Sequence, residues 1–144
     1  MHFRMTLFTA VLAVGAMDAQ GRPLASSNWG GAYRSAGLLA PGTGWLVACA
    51  GGGTTIIGGT SSATAVVTGA AALLMSLALG RGRRLDGVRI REILLDTADK
   101  CPDDSISCRR HLAGRLNLAE AGALLRTRDL RMSDEFPTQT AALE

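Results

Sequence analysis

Apolar and polar positions alternate in blocks along this chain, and each block has a recognisable length. Val11-Leu12-Ala13-Val14-Gly15-Ala16 is a short apolar run closed by Asp18-Ala19-Gln20-Gly21. A run of that length ended by turn residues predicts a strand of a parallel sheet, buried on both faces. Ser26 to Gly31 is small and polar around Trp29, which predicts a loop. Leu38-Leu39-Ala40 runs into the turn signal Pro41-Gly42. Trp45-Leu46-Val47-Ala48 and Thr54 to Ile57 are two β-prone stretches on either side of the flexible Gly51-Gly52-Gly53.

Gly58-Gly59-Thr60-Ser61-Ser62 then opens a helix expected from about Ala63 to Leu79. It is apolar on all sides, so burial is expected whatever surrounds it. Val88, Ile90, Ile93, Leu94 and Ala98 recur at roughly helical spacing with charges between them, which predicts an amphipathic surface helix. Cys101 to Arg110 reads as a polar loop, Leu116 to Leu125 as a short last helix, and residues 126–144 as a flexible tail.

Charge sharpens the picture. No charged residue occurs from Ser35 to Gly80, and charges are frequent from Arg81 onward. The uncharged stretch belongs either inside a protein or in a membrane. Ser61 to Leu79 approaches the roughly 20 residues that span a bilayer, and Arg81, Arg83 and Arg84 follow it as a positive flank would. Against a membrane span, Thr60, Ser61, Ser62, Thr64 and Thr68 crowd its first half. The region before it is rich in Gly and Pro, which lipid does not tolerate. No membrane association is expected. Met1 to Met17 has a signal-like apolar run, but its basic start is thin and its cleavage site poorly formed. A cytoplasmic setting is favoured over secretion.

The 144 residues suffice for one domain, 1–125, with the tail behind it. The net charge of +3 is too small to predict a nucleic-acid partner. Gly53 to Thr60 lacks the Lys of a phosphate loop. The three Cys have no zinc spacing, so no metal and no cofactor is expected. Cys101 and Cys108 are spaced for a disulfide in an oxidising compartment, with two free thiols as the alternative. Cys49 reads as a small buried apolar residue.

The chemistry concentrates at Gly59-Thr60-Ser61-Ser62-Ala63, a loop-to-helix junction. A helix N-terminus offers unpaired N–H groups and positive potential, and both stabilise an oxyanion. Glycines at 58 and 59 admit a substrate backbone. An ordinary N-cap accounts for the same hydroxyls.

The wider order of motifs decides between these readings. Gly-Thr-Ser-x-Ala before a long apolar helix with Gly69-Ala70-Ala71-Ala72-Leu73-Leu74 resembles the nucleophile segment of subtilisin-like serine proteases. Upstream, Val11 to Ala16, Ser27-Asn28-Trp29-Gly30 and Leu39-Ala40-Pro41-Gly42 resemble that family's strand, S-N-x-G turn and A-P-G turn. Downstream, Val88 to Ala98 and Gly114-Arg115-Leu116-Asn117 resemble its helix ending near Thr-Ala and its G-x-L-N segment. A narrower likeness, through Ala16-Met17-Asp18, Asn28-Trp29-Gly30 and Cys108 to Asn117, is to the PatA/PatG-type subtilases of cyanobactin maturation. Those proteases cut precursor peptides, and one branch macrocyclises them. Two positions depart from the pattern. Ala65 stands where the family usually has Pro, and Ser26 where it has Phe.

The resemblance implies an α/β chain, the C-terminal portion of a subtilisin-like three-layer fold with a parallel sheet and a buried central helix after the nucleophile. It implies that Ser61 is the nucleophile with its backbone N–H as an oxyanion donor, that Gly59 and Thr60 contact substrate, and that the substrate is a peptide or precursor peptide. The family's catalytic order is Asp, His, Ser, and here only His2 precedes Ser61. His111 follows two Arg and has no evident path to Ser61. The partner implied is therefore the missing N-terminal part of the protease domain, and the chain alone is expected to be inactive. A non-catalytic fragment or pseudoprotease binding module is the alternative, with a small membrane protein behind it.

Overall fold

In the computed structural model, residues 11–128 are described except Ala32 and Asp104. His2, the first part of the signal-like run and residues 129–144 lie outside them. The first strand, β1 (Ala13–Met17), pairs in parallel with β2 (Gly37–Pro41), with Ala13 opposite Gly37 and Met17 opposite Pro41. Ala16, Leu38, Leu39 and Ala40 are fully buried, as expected of strands covered on both faces. Leu38-Leu39-Ala40 is thus the central part of a strand, and a single helical turn, α1 (Tyr33–Ala36), delivers the chain into it.

β3 (Trp45–Ala48) and β4 (Thr54–Ile57) form a separate antiparallel hairpin. Its turn needs the three glycines, which sit at φ 85°, 92° and 86° where side chains are disfavoured. Cys49 begins this turn. It is exposed, not buried as expected, because the hairpin tip projects from the core.

The long helix, α2 (Thr60–Leu79), starts three residues earlier than its apolar run. Small residues let one face lie close on the sheet. Ala63, Val67, Ala70, Leu74 and Ala78 are buried, and the helix packs on β1, β2, α3 and α5. The expectation of burial all round is corrected. Leu73 on one flank of the helix, and Met75 and Leu79 on the opposite one, are 61 %, 39 % and 55 % exposed. By length and composition α2 is apolar enough to cross a membrane, and a third of its apolar window is buried within the chain.

α3 (Gly87–Asp96) begins at Asp86, whose carboxylate accepts the Arg89 N–H at 2.8 Å, a standard N-cap. Ile90, Ile93 and Leu94 turn inward. α4 (Ile106–Arg109) is one turn inside the stretch expected to be a loop, and the Cys101–Cys108 disulfide closes that stretch. α5 (Leu118–Arg128) runs three residues past the expected end at Leu125.

Gly114-Arg115-Leu116-Asn117 earns each residue physically. Leu39 N–H donates to Gly114 O at 2.9 Å and Leu116 N–H to Leu39 O at 2.8 Å, so the segment runs beside β2. Gly114 adopts φ 154°, and a Cβ there would meet Asp99 O at 2.8 Å. Asn117 caps α5 by accepting the Glu120 N–H, and its amide donates to Asp99.

Candidate active site

The site is built where two glycine turns meet the mouth of α2. Gly42 N–H donates to Met17 O at 2.9 Å, which ties the Pro41-Gly42 turn to the end of β1. Gly59 N–H in turn donates to Gly42 O. A Cβ on Gly42 would lie 2.5 Å from Ala16 Cβ and 2.9 Å from Gly59 O, and one on Gly58 would lie 2.7 Å from Gly42 O. The A-P-G and G-G turns therefore touch backbone to backbone, and that contact fixes where α2 begins.

Gly59 is the N-cap, at φ 120° with no side-chain cap. The first helical bond is Ala63 N–H to Gly59 O at 3.2 Å. The N–H groups of Thr60, Ser61 and Ser62 precede it, so they have no carbonyl within the helix. They add to the positive end of the helix dipole. Ser61 is exposed in this first turn. Its hydroxyl has no hydrogen-bond partner among the described residues, so it does not serve as a cap.

Other polar groups nearby are committed to structure. Ser27, 4 % exposed, accepts the Ala16 N–H at 3.0 Å and so pins the S-N-x-G turn to β1. Asp18 accepts the N–H groups of Gln20 and Arg22 and the Arg22 guanidinium at 2.9 Å. The Arg22 backbone bond, with its side chain, holds that carboxyl below its usual range. A cleft of about 200 Å³ adjoins the helix mouth, lined by Gly15, Ser26, Asn28, Tyr33, Thr60 and Leu112 among others. Thr60 lines this cleft, and nothing among the described residues brings a histidine to Ser61.

On the far side of the helix mouth lies an apolar groove of about 510 Å³ between the hairpin and α2. Trp45, Val47, Ile57, Val66, Leu73 and Leu118 line it, together with Ser62. The Ser62 hydroxyl is buried there without a hydrogen-bond partner, a condition that costs about 1–3 kcal/mol. Ser62 belongs to the junction singled out by the sequence, but nothing in its spacing from Ser61 distinguishes its buried hydroxyl from that of any first-turn neighbour.

The model of the subtilase family matches residues 6–123. The chain belongs to the subtilase family. Its α/β architecture is that of subtilisin-like proteins. Among solved structures, the patellamide maturation protease PatA is 51 % identical, with a TM-score of 0.76 over 82 % of this chain and 44 % of that one. The prenylagaramide maturation protease PagA is 48 % identical, with a TM-score of 0.74 over 80 % and 42 %. The PatG macrocyclase, solved with a peptide, is 40 % identical, with a TM-score of 0.73 over 79 % and 35 %. The subtilase segment described here thus spans less than half the length of each of these structures. No curated protein matches it.

The site's packing gives a direct test. Gly42→Ala should destabilise the chain by about 1–3 kcal/mol, the usual cost of overpacking. Gly69 is a helical glycine with open space at its Cβ, and Gly69→Ala should add about 0.5–1 kcal/mol instead. Urea midpoints of the two variants are expected on opposite sides of the parent.

Proposed function

We propose that this subtilase segment is the nucleophile-bearing part of a serine endopeptidase that processes precursor peptides. The observation that carries the reading is an exposed Ser61 in the first turn of α2, with unpaired backbone N–H groups around its hydroxyl. The Ser61 oxygen attacks a peptide carbonyl, and its proton passes to a base brought by another part of the domain. The carbonyl oxygen becomes an oxyanion and accepts the Ser61 N–H. Collapse of the tetrahedral intermediate expels the amine and leaves an acyl-enzyme, which water or another amine then resolves. Gly59, with no Cβ, and Thr60, on the cleft wall, flank the scissile bond. The subtilase unit is assigned to 1–125.

The partner that completes the site is the remainder of such a domain, seated in the apolar groove. Two features support this: the unpartnered Ser62 hydroxyl in the groove wall, and the 44 % of PatA that this chain spans. A non-catalytic binding module is the second reading, favoured by the lack, among the described residues, of a base at Ser61. A fluorophosphonate probe separates the two. Covalent capture at Ser61 when the chain is completed by a segment supplying the Asp and His supports the protease. An unlabelled Ser61 in that completed, folded protein supports the module.

His111 is assigned no catalytic role. Burial, followed by the charges of Arg115 and Arg110, lowers its pKa below the usual value. A base with a depressed folded pKa binds more protons when unfolded. Stability from this group is therefore full above the ordinary value of about 6.5 and falls as pH drops through the folded one. Urea midpoints should decline over that window, and His111→Gln should flatten the decline. The lowered carboxyls of Asp18 and Asp103 act in a separate window, below about 3.9.

A further inference from the structure

Cys101 and Cys108, joined by a disulfide, both line a polar cleft of about 700 Å³, large enough to admit a small thiol. The segment that follows it leads directly to the candidate site. His111 N–H donates to Cys108 O at 3.0 Å, and Ala113 N–H to Gly37 O at 3.0 Å. Between them Leu112 adopts φ 59°, the one positive φ outside glycine among the described residues. A residue with a side chain pays for that conformation, so its surroundings must hold it there.

The Leu112 side chain is seated over two glycines. Its Cδ1 lies 3.2 Å and 3.1 Å from where Cβ atoms of Gly15 and Gly37 would be. It is 8 % exposed and forms part of the cleft that also holds Thr60 and Asn28. A further tie comes from Arg110, whose guanidinium donates to Leu24 O at 2.9 Å.

We propose that the Cys101–Cys108 disulfide is a redox-sensitive latch that sets the position of Leu112 in the cleft beside Ser61. A dithiol reductant opens it by two exchange steps. One thiolate attacks a protein sulfur and forms a mixed disulfide, and the second thiol displaces the other bond. Cys101 and Cys108 each gain a proton, and the dithiol leaves as its cyclic disulfide. The loop then loses its covalent closure. Leu112 is released from its strained conformation, and the edge along β2 loosens. The coupling stands on contacts within this chain and goes beyond the reaction of Ser61.

Hydrogen exchange read by mass spectrometry tests it, on dilute full chain with and without dithiothreitol. Reduction should raise exchange roughly tenfold or more in segments holding Leu39, Ala113 and Leu116, whose N–H groups bond across this edge. Segments holding Ile93 and Leu94 in α3 should keep their rates. The Cys101→Ser/Cys108→Ser variant should match the reduced chain without reductant. Leu112→Ala, with the disulfide intact, should raise exchange in the segments of β1 and β2 that hold Gly15 and Gly37, because it removes the side chain seated over both glycines and not the latch. Unchanged exchange at Leu39, Ala113 and Leu116 on reduction would overturn the proposal. An equal rise in α3 would overturn it too, since the disulfide would then be a staple for the whole chain.

Discussion

Ser61→Ala, made in a domain completed with its Asp and His, is expected to abolish turnover and probe labelling while leaving the melting temperature unchanged. Loss of the nucleophile from a full triad costs on the order of 10⁶ in kcat. The same hydroxyl used as a helix cap would be worth about 0.5–2 kcal/mol of stability. The structure separates these roles before the experiment. The N-cap is Gly59, which has no side-chain cap, and Ser61 is exposed one residue inside the helix. Its removal breaks no hydrogen bond among the described residues and opens no cavity. Lost turnover with an unaltered melting curve would place the chemistry at Ser61. A lower melting temperature with retained turnover would make it a structural hydroxyl and sink the proposed mechanism. In the 144-residue chain by itself, cleavage above background is not expected from either form, since the described residues bring no base to Ser61.

Part of the fold around this junction is legible in the sequence. Val11 to Ala16 reads as a buried parallel strand because its apolar run is short and ends in turn residues; β1 takes up Ala13 to Ala16 of it, while Val11 stays 55 % exposed. The G-T-S-x-A junction reads as a helix mouth because glycines precede a long uncharged run, and α2 begins there at Thr60. What periodicity hid was the partnership between turns. Nothing in Pro41-Gly42 or Gly58-Gly59 taken singly says that their backbones touch, yet that contact positions Ser61. Leu38-Leu39-Ala40 reads as an approach to a turn because three apolar residues are too few to carry a strand signal. Its identity came from pairing with β1. Cys49 reads as buried by residue type, but Gly51-Gly52-Gly53 carry it out on a hairpin tip and outweigh that preference. The disulfide was one of two readings that spacing allowed, and only the approach of Cys101 to Cys108 in the fold decides it.

The expectation that α2 is buried all round failed for a reason that yields the second large effect. Uniform apolarity requires enclosure, but this chain encloses one face only. The flank of α2 that lines the groove carries Leu73, and the hairpin extends it with Trp45 and Ile57, 40 % and 44 % exposed, while Met75 and Leu79 are exposed on the opposite flank. Fully burying a large apolar side chain is worth about 1.5–3 kcal/mol, so several together favour association strongly. A patch of this kind marks an interaction surface or an aggregation hazard. The purified chain should therefore sediment as a concentration-dependent mixture of oligomers and larger species. Leu73→Glu combined with Ile57→Thr should shift it toward monomer, because both residues line the groove and neither belongs to the buried core. The small-residue face of α2 keeps its packing on β1 and β2 in that variant, so its far-ultraviolet circular dichroism should match the parent. A parent chain that sediments as one monomer and unfolds cooperatively would show that the groove needs no cover, and the proposal that the rest of a protease domain sits there would fall.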